Sequence, residues 1–424
     1  MKLGLIGEKL PHSYSKEIFE DLLGYPTYDL IELRPDEVEP FLREFRYDGV
    51  NVTVPYKTAV LPYLDAVSDV AREIGAVNTV WRENGKLCGT NTDFYGLRAL
   101  LVRNGIDLSG KSVLILGTGG TSKTAAAVCR AMGASEIKKV SRTGRDGAVT
   151  YEAAKRLSVD YFINTTPAGM FPHTGDSPIA DPEAFFTAHG AKKQPLGAID
   201  VIYNPLRTAF LADAARYGLQ TVSGLYMLAA QAIAAERYFT GHEQNEDRMT
   251  ERIGQVYANL CARKDNLVLI GMPAVGKTTV GEALAARTGR PFYDTDRELQ
   301  KRIGSVPDFL KRYGEPAFRE AEEACVRELT EKVRGAVIAT GGGVILRKNN
   351  VRALGANGRI FWIDRPVGQI RFDGTRPLSD SPEKWNRLRT EREPFYRQAA
   401  DAVIRDFSCP AEAAIRILEE YAKW

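Results

Sequence analysis

The chain has 424 residues, of which 44% are hydrophobic and 26% charged, and its formal net charge is +3. That is the composition of a globular protein, the length suggests about three domains, and so small a charge offers little to a nucleic acid or an anionic membrane. The opening residues turn polar too early for a signal peptide, no apolar run approaches a spanning length, and the five cysteines form no Cys-x-x-Cys pair, so a cytoplasmic protein with reduced thiols and no zinc site is expected.

Residues 2–7, 27–33 and 49–54 read as strands and residues 16–23 and 36–45 as helices, an alternation that argues for a mostly parallel α/β sheet. Three pieces in this region are unusually polar for their positions. His12-Ser13-Tyr14-Ser15 puts two hydroxyls in the loop after the first strand. Asn51-Val-Thr53-Val-Pro-Tyr-Lys57 ends a strand in a lysine. Gly75-Ala-Val-Asn78-Thr79 is followed by Asn91-Thr92-Asp93 ahead of a new helix. Ligands of open α/β sheets bind at the carboxyl ends of the strands, and a lysine and an aspartate brought together there suit proton transfer. Taken singly, the serines and Asp93 fit helix caps, and the lysine fits a solvated side chain.

In wording and order these blocks closely resemble the signatures of the shikimate dehydrogenase family. The resemblance implies that Lys57 and Asp93 are the catalytic pair and that Ser13 and Ser15 hold the substrate carboxylate. Thr53, Asn78 and Asp93 would bind the ring hydroxyls. Family members carry proline after the second serine, where this chain has Lys16.

Residues 111–116 form a buried-strand run, Gly117-Thr118-Gly119-Gly120-Thr121 follows, and a helix is expected over 124–132, which makes a dinucleotide fingerprint at a strand-to-helix junction. The next strand, 136–140, ends in Ser141-Arg142-Thr143-Gly144-Arg145. Arginines here, rather than an acidic residue for a ribose hydroxyl, favour a 2′-phosphate and therefore NADP(H). Asn164–Met170, Asp200-Val201-Ile-Tyr203-Asn-Pro205 and Gly224-Leu-Tyr-Met227-Leu-Ala-Ala-Gln231 match the same family. By that resemblance Tyr203 and Gln231 serve the substrate, Val201, Gly224 and Met227 lie near the nicotinamide, and Asp69 neighbours it. The segment 225–238 also reads as a core-facing helix, and the family's last helices return to pack on the first subdomain.

A polar break at 241–248 and a helix-like stretch over 249–260 lead to the second half, with no long flexible tether between. There the apolar run 266–270, the loop Gly271-Met-Pro-Ala274-Val275-Gly276-Lys277-Thr278-Thr279 and a helix over 280–288 make a phosphate-binding P-loop. Its backbone N–H groups and Lys277 would hold ATP phosphates, and the Thr278 hydroxyl would hold Mg²⁺. Asp294-Thr-Asp296 follows at a strand end, Glu315–Glu322 opens a helix, and Gly341-Gly342-Gly343 lets backbone approach a small polar ligand. Arg371, Arg376 and Arg392 lie in or beside 373–380, a stretch suited to a mobile lid.

This order resembles shikimate kinase over residues 265–424. The resemblance implies that Thr278 and, through water, Asp294 serve Mg²⁺ and that Asp296 is the base. Arg319, Gly342 and Arg392 would bind the acceptor, Arg376 would close over the phosphates and Arg371 would lie by the adenine. Ala274 and Val275 stand where the family has smaller residues, and the lid is short; both changes are expected to act on nucleotide affinity or rate.

The expected architecture is α/β throughout. An open α/β substrate-binding subdomain (1–100 and 223–260) and a Rossmann NADP subdomain (101–222) precede a P-loop kinase domain (261–424) with a parallel sheet. The expected substrates are 3-dehydroshikimate and shikimate. Two rivals stay open: a quinate/shikimate dehydrogenase of broader substrate and cofactor use, and a non-catalytic regulatory relative. The presence of Lys57, Asp93, Lys277 and Asp296 weighs against the second.

Overall fold

The computed structural model describes residues 1–10, 13–145, 147–187, 193–242, 245–370 and 381–423. The chain divides into two compact units, Met1–Asn259 and Leu260–Trp424, and the division falls within the helix Glu246–Lys264. Among the described residues no helix is long and apolar enough to cross a membrane.

The first unit contains two sheets. Strands β1 (Leu3–Gly7), β2 (Tyr28–Glu32), β3 (Gly49–Val52), β4 (Ala66–Val67), β5 (Thr79–Glu83) and β6 (Lys86–Thr90) lie in the order β2-β1-β3-β5-β6-β4. β1 is buried along its whole length and pairs in parallel with β2 and β3, as a strand covered on both faces does. β5 and β6 form an antiparallel hairpin in which Glu83 faces Lys86 across Asn84 and Gly85. Both loop residues have positive φ, 50° and 77°, the conformation a two-residue hairpin needs to match the strand twist. The sheet is therefore mixed.

The stretch 16–23, expected as one α-helix, is instead a short helix, Ser15–Glu17, continued as a π-helix, Ile18–Leu22. The wider turn brings two adjacent side chains, Ile18 and Phe19, into the core together, and Phe19 stacks on Tyr28 with ring centroids 4.4 Å apart.

The second sheet takes strands β7 (Ser112–Leu116), β8 (Glu136–Ser141), β9 (Val149–Thr150), β10 (Tyr161–Asn164), β11 (Gly197–Asp200) and β12 (Gln220–Ser223) in the order β12-β11-β10-β7-β8-β9, all parallel. The chain leaves β7 for one side of the sheet and later returns to its other side, so the loop after β7 sits at a topological switch point. The helix Leu225–Thr240 then packs on the first sheet: Phe239 covers Gly49, and Tyr238 meets Trp81 with centroids 4.7 Å apart.

In the second unit β13 (Asn266–Ile270), β14 (Phe292–Asp294), β15 (Val337–Ala339), β16 (Gly358–Ile363) and β17 (Ala402–Ile404) form a parallel sheet ordered β14-β15-β13-β16-β17. Central β13 is fully buried, so its chemistry is confined to its end. The helical run Val306–Lys332 breaks at Gly314 (φ 80°), and the helix carrying Arg319 restarts at Glu315, the expected position.

A methyl group added at Gly49 would stand 2.1 Å from Phe239 Cδ1. Gly49→Ala should lower the stability of the first unit by about 1–3 kcal/mol in urea denaturation, the usual cost of overpacking, and leave the second unit's transition in place. An unchanged midpoint for the first unit would show that the helix is not seated as described.

Candidate active sites

β1 stops at Gly7 and β3 at Val52, so the loops after them leave the same carboxyl edge of the sheet. The second loop delivers Lys57, and the helix Thr92–Arg103 begins with Thr92-Asp93. Lys57 Nζ donates to Asp93 Oδ2 at 2.5 Å. Their side chains are only 12% and 9% exposed, so the pair is mostly out of water, where a charge-assisted hydrogen bond is strong. An ammonium held this way can protonate a developing alkoxide.

A buried polar chain supports the pair. Tyr28 Oη donates to Asn51 Oδ1 (2.7 Å) and Asn51 Nδ2 donates to Thr79 Oγ1 (3.2 Å). Asn78 Oδ1 accepts from the Thr79 hydroxyl (3.1 Å) and from the Thr92 N–H (2.6 Å), which fixes the start of the helix that carries Asp93. Ser15 joins the other end through Tyr28, whose phenol burial pushes well above its usual range. Ser13 pairs with the Tyr203 hydroxyl, and the Tyr203 ring lies 5.1 Å from that of Tyr14. Thr53 is half-buried beside Gly7. Gln231 and Met227 pack against Gly96 of the Asp93 helix. Ser15 and Asn78 are thus tied to the helix start that presents Asp93 to Lys57, Gln231 packs one turn along that helix, and Ser13 meets Tyr203. His12 lies outside the described residues. Tyr28 was not foreseen: an aromatic residue on a strand reads as core until its hydroxyl finds a partner.

After β7, Gly117 turns with φ 109°, and the next helix starts at Gly120, earlier than the expected 124. A Cβ at Gly119 would meet nothing within 4 Å, and one at Gly120 would lie 3.7 Å from Lys57 Cβ. Open space at a helix N-terminus is therefore next to the lysine. Thr118 and Thr121 border that turn, exposed and half-buried respectively. After β8 the Ser141 hydroxyl accepts from the Gly144 N–H (2.9 Å), with Arg142, Thr143 and Arg145 exposed. These groups fit a dinucleotide with a 2′-phosphate. Val201 and Gly224 are in direct contact, since a Cβ on Gly224 would stand 2.2 Å from Val201 O. Asp69 faces solvent instead, its side chain 98% exposed and paired with Arg72.

A fully buried carboxyl holds the Val201–Tyr203 segment. Asp200 Oδ1 accepts from Asn164 Nδ2 (3.1 Å) and from the Ile202 N–H (3.0 Å), and Oδ2 accepts from the Thr208 hydroxyl (2.7 Å). Burial pushes this carboxyl up to about 7, against the pull of those three donors.

In the second unit the loop after β13 closes around its own lysine: Lys277 Nζ donates to Gly271 O and Met272 O, both at 2.9 Å. Lys277 also starts the helix Lys277–Thr288, three residues ahead of the expected 280. Thr278 Oγ1 donates to Asp294 Oδ2 (2.8 Å), while Asp294 Oδ1 accepts from the Asp296 and Arg297 N–H groups and caps the helix Thr295–Ile303. A hydroxyl and a carboxylate side by side are hard oxygen donors, which suits Mg²⁺ shared with phosphate oxygens and water. Thr279 is exposed and Val275 is buried in the core. Ala274 has φ 67°, a left-handed conformation that costs a residue with a Cβ about 1–2 kcal/mol.

The triple glycine forms a floor beside these groups. Asp296 Oδ1 approaches Gly341, Arg319 lies against Gly343, and Arg392 donates to Gly342 O at 3.0 Å. Arg319 is held by Glu322 (3.0 Å) and Glu315 (3.1 Å). Burial raises the Glu322 carboxyl above its usual range, against the pull of Arg319. Glu322 stands in the same motif as Arg319, and its i,i+3 spacing from that arginine signals the pairing. Arg371 and Arg376 lie outside the described residues.

These arrangements define two nucleotide-dependent α/β enzymes on one chain, an oxidoreductase with a lysine–aspartate pair and a P-loop phosphotransferase. Residues 5–80 match the family model for the shikimate dehydrogenase substrate binding domain, and residues 273–422 match that for shikimate kinase. The chain belongs to the shikimate dehydrogenase family and carries a shikimate kinase domain at its C-terminal end. A shikimate dehydrogenase (NADP(+)) of Clostridium perfringens is 35% identical over 285 residues, covering 62% of this chain and 100% of its own. Shikimate dehydrogenase 1 of Peptoclostridium difficile matches with a TM-score of 0.55 and 33% identity, over 61% of this chain and 98% of that one. The Thermus thermophilus shikimate 5-dehydrogenase, solved with NADP(H) and shikimate, matches at 0.50 and 31% identity, over 60% and 99%.

The Asp200 carboxyl keeps its proton to a higher pH folded than unfolded, so its contribution to stability is greatest at low pH and falls as pH rises from about 4 to about 7. Thermal unfolding of Asp200→Asn, which cannot ionise, should therefore gain on the parent protein across that window. A difference independent of pH would contradict the buried titration.

Proposed function

We infer that the chain reduces 3-dehydroshikimate to shikimate with NADPH in its first unit and phosphorylates the 3-hydroxyl of shikimate with ATP in its second. The observation that carries this reading is the buried Lys57–Asp93 pair beside Gly120 of the dinucleotide turn, matched in the second unit by Lys277, Thr278, Asp294 and Asp296 around one loop.

In the first unit Ser13 and Ser15 bind the substrate carboxylate. Thr53, Asn78 and Asp93 bind the ring hydroxyls, with Tyr203 and Gln231 closing the pocket. NADPH, when bound, supplies the hydride to the keto carbon. Lys57 gives its proton to the keto oxygen as that carbon is reduced, and Asp93 holds the ammonium toward it before and after. Arg142 and Arg145, with Ser141 and Thr143, take the 2′-phosphate, and Val201, Gly224 and Met227 line the nicotinamide side.

In the second unit Arg319, Gly342 and Arg392 hold shikimate. Asp296 accepts the proton of the 3-hydroxyl as its oxygen bonds to the γ-phosphorus and the bond to ADP breaks. Lys277 and Arg376 offset the charge on the phosphoryl oxygens, with Arg371 by the adenine. Thr278 directly, and Asp294 through water, would hold Mg²⁺, which would offset phosphate charge during the transfer. The two reactions are consecutive, because the hydroxyl made by the first is the nucleophile of the second.

Lys57→Ala should cut the reduction of 3-dehydroshikimate by about 10²–10⁴-fold, the usual worth of a positioned acid, and spare phosphorylation of added shikimate. Lys277→Ala should do the reverse, costing about 10²–10³-fold in the kinase reaction. Both are read from NADPH oxidation and ADP release by the purified chain. Either variant losing both activities while still folded, or neither losing any, would contradict the assignment.

A further inference from the structure

Trp385 is fully buried on the helix Pro382–Ala399, and its indole Nε1 donates to the carbonyl of Pro273 at 3.0 Å. That carbonyl belongs to the P-loop and immediately precedes Ala274, whose φ of 67° is one of four positive values at non-glycine positions among the described residues. The two carbonyls before it, Gly271 and Met272, face the Lys277 ammonium, whereas the Pro273 carbonyl is taken by the indole. In a trans peptide the C=O and the following N–H point in opposite directions, so the bond that holds Pro273 O directs the Ala274 N–H away from Trp385.

Turning the Pro273–Ala274 peptide over by half a turn would carry φ of Ala274 from the left-handed region to a negative value and so remove the strain of positive φ. It would also exchange a donor for an acceptor within a loop that has to receive phosphate oxygens. Glycine at this place would feel no such pull, because it adopts positive φ freely.

The same helix holds the neighbouring wall. Arg392 (3.0 Å) and the Tyr396 hydroxyl (2.6 Å) both donate to Gly342 O, and a Cβ on Gly342 would stand 2.7 Å from the Pro273 ring. Pro273 is thus gripped from its carbonyl by Trp385 and backed on its ring by Gly342.

We propose that Trp385 is a positioning residue for nucleotide binding: it locks the Pro273–Ala274 peptide in the phosphate-receiving orientation and so offsets the strain of alanine at 274. This rests on the reading of the second unit as an ATP-dependent kinase. Losing the indole N–H would let the turned-over loop compete in the free protein, and apparent affinity falls by the fraction of molecules that remain competent.

The test uses the full-length chain and the dissociation constant of Mg·ADP measured by isothermal titration calorimetry. Trp385 is replaced by benzothienylalanine, which keeps the ring's shape with sulfur in place of N–H, and in parallel by phenylalanine (Trp385→Phe). Each is made with and without Ala274→Gly, and the urea transition of the second unit serves as the control of its folding. The loss of one hydrogen bond should weaken Mg·ADP binding about fivefold with the benzothienyl ring, and adding Ala274→Gly should recover it to within about twofold of the parent. Ala274→Gly alone should change binding less than that. The proposal is overturned if the benzothienyl protein binds Mg·ADP as the parent does, or if the loss is the same with and without Ala274→Gly. A parent protein that binds no Mg·ADP would instead refute the kinase reading. Should Trp385→Phe unfold the second unit through the cavity it leaves, the shape-conserving replacement still decides.

Discussion

A parallel strand covered on both faces has its side chains committed to the core and its peptide groups to its neighbours, so it can meet a ligand only where it ends. β1, β7 and β13 are all buried from end to end. Each lies inside its sheet, with a strand paired on either side, and each releases the chain at its carboxyl end into a loop of the candidate sites. Ser13 and Ser15 follow β1, the glycine turn follows β7, and the P-loop follows β13. The polar groups of the two candidate sites arrive at these edges from other elements: Lys57 from the loop after β3, Asp93 from the start of a helix, and Asp294 from the end of β14. Three sheets therefore give two sites, because the first two sheets share one: Gly120 of the second lies against Lys57 of the first.

Ending a strand is not enough to aim a side chain, and in each unit buried hydrogen bonds do the aiming. In the first unit Tyr28, Asn51, Thr79 and Asn78 link Ser15 to the helix start that presents Asp93. Asp200 does the same for the Val201–Tyr203 segment through three donors. In the second unit one carboxylate has two tasks, since Asp294 caps a helix with one oxygen and receives Thr278 with the other. Each of these groups is costly to bury unless fully paired, which makes the networks rigid and sensitive to single changes.

The class of fold and the two glycine loops were legible in the sequence because they depend on local pattern: apolar runs, glycines at strand ends, and helices with one apolar side. The order of the quoted motifs carried the rest of the family reading. What was not legible depends on distant partners. The Tyr28 hydroxyl acquires a role only when β2 and β3 both lie against β1, and Trp385 only when its helix reaches a loop 112 residues away in sequence. The π-helix at Ile18–Leu22 likewise goes with distant contacts, since it buries the adjacent Ile18 and Phe19 and stacks Phe19 on Tyr28 of β2. The β5–β6 hairpin is different: Asn84-Gly85 between two strand-like runs is a local turn signal that needs no distant partner. Asp69, placed near the nicotinamide by resemblance alone, has its side chain exposed and paired with Arg72.

The central claim is that one chain makes a hydroxyl and then phosphorylates that same hydroxyl. The most direct measurement incubates the purified protein with 3-dehydroshikimate, NADPH carrying deuterium at the transferable position and Mg·ATP, and follows the products by mass spectrometry. The account predicts a single final product, shikimate 3-phosphate, bearing one deuterium on the carbon that carries the phosphate. Deuterated shikimate that is never phosphorylated, or no deuterium transfer at all, would contradict it.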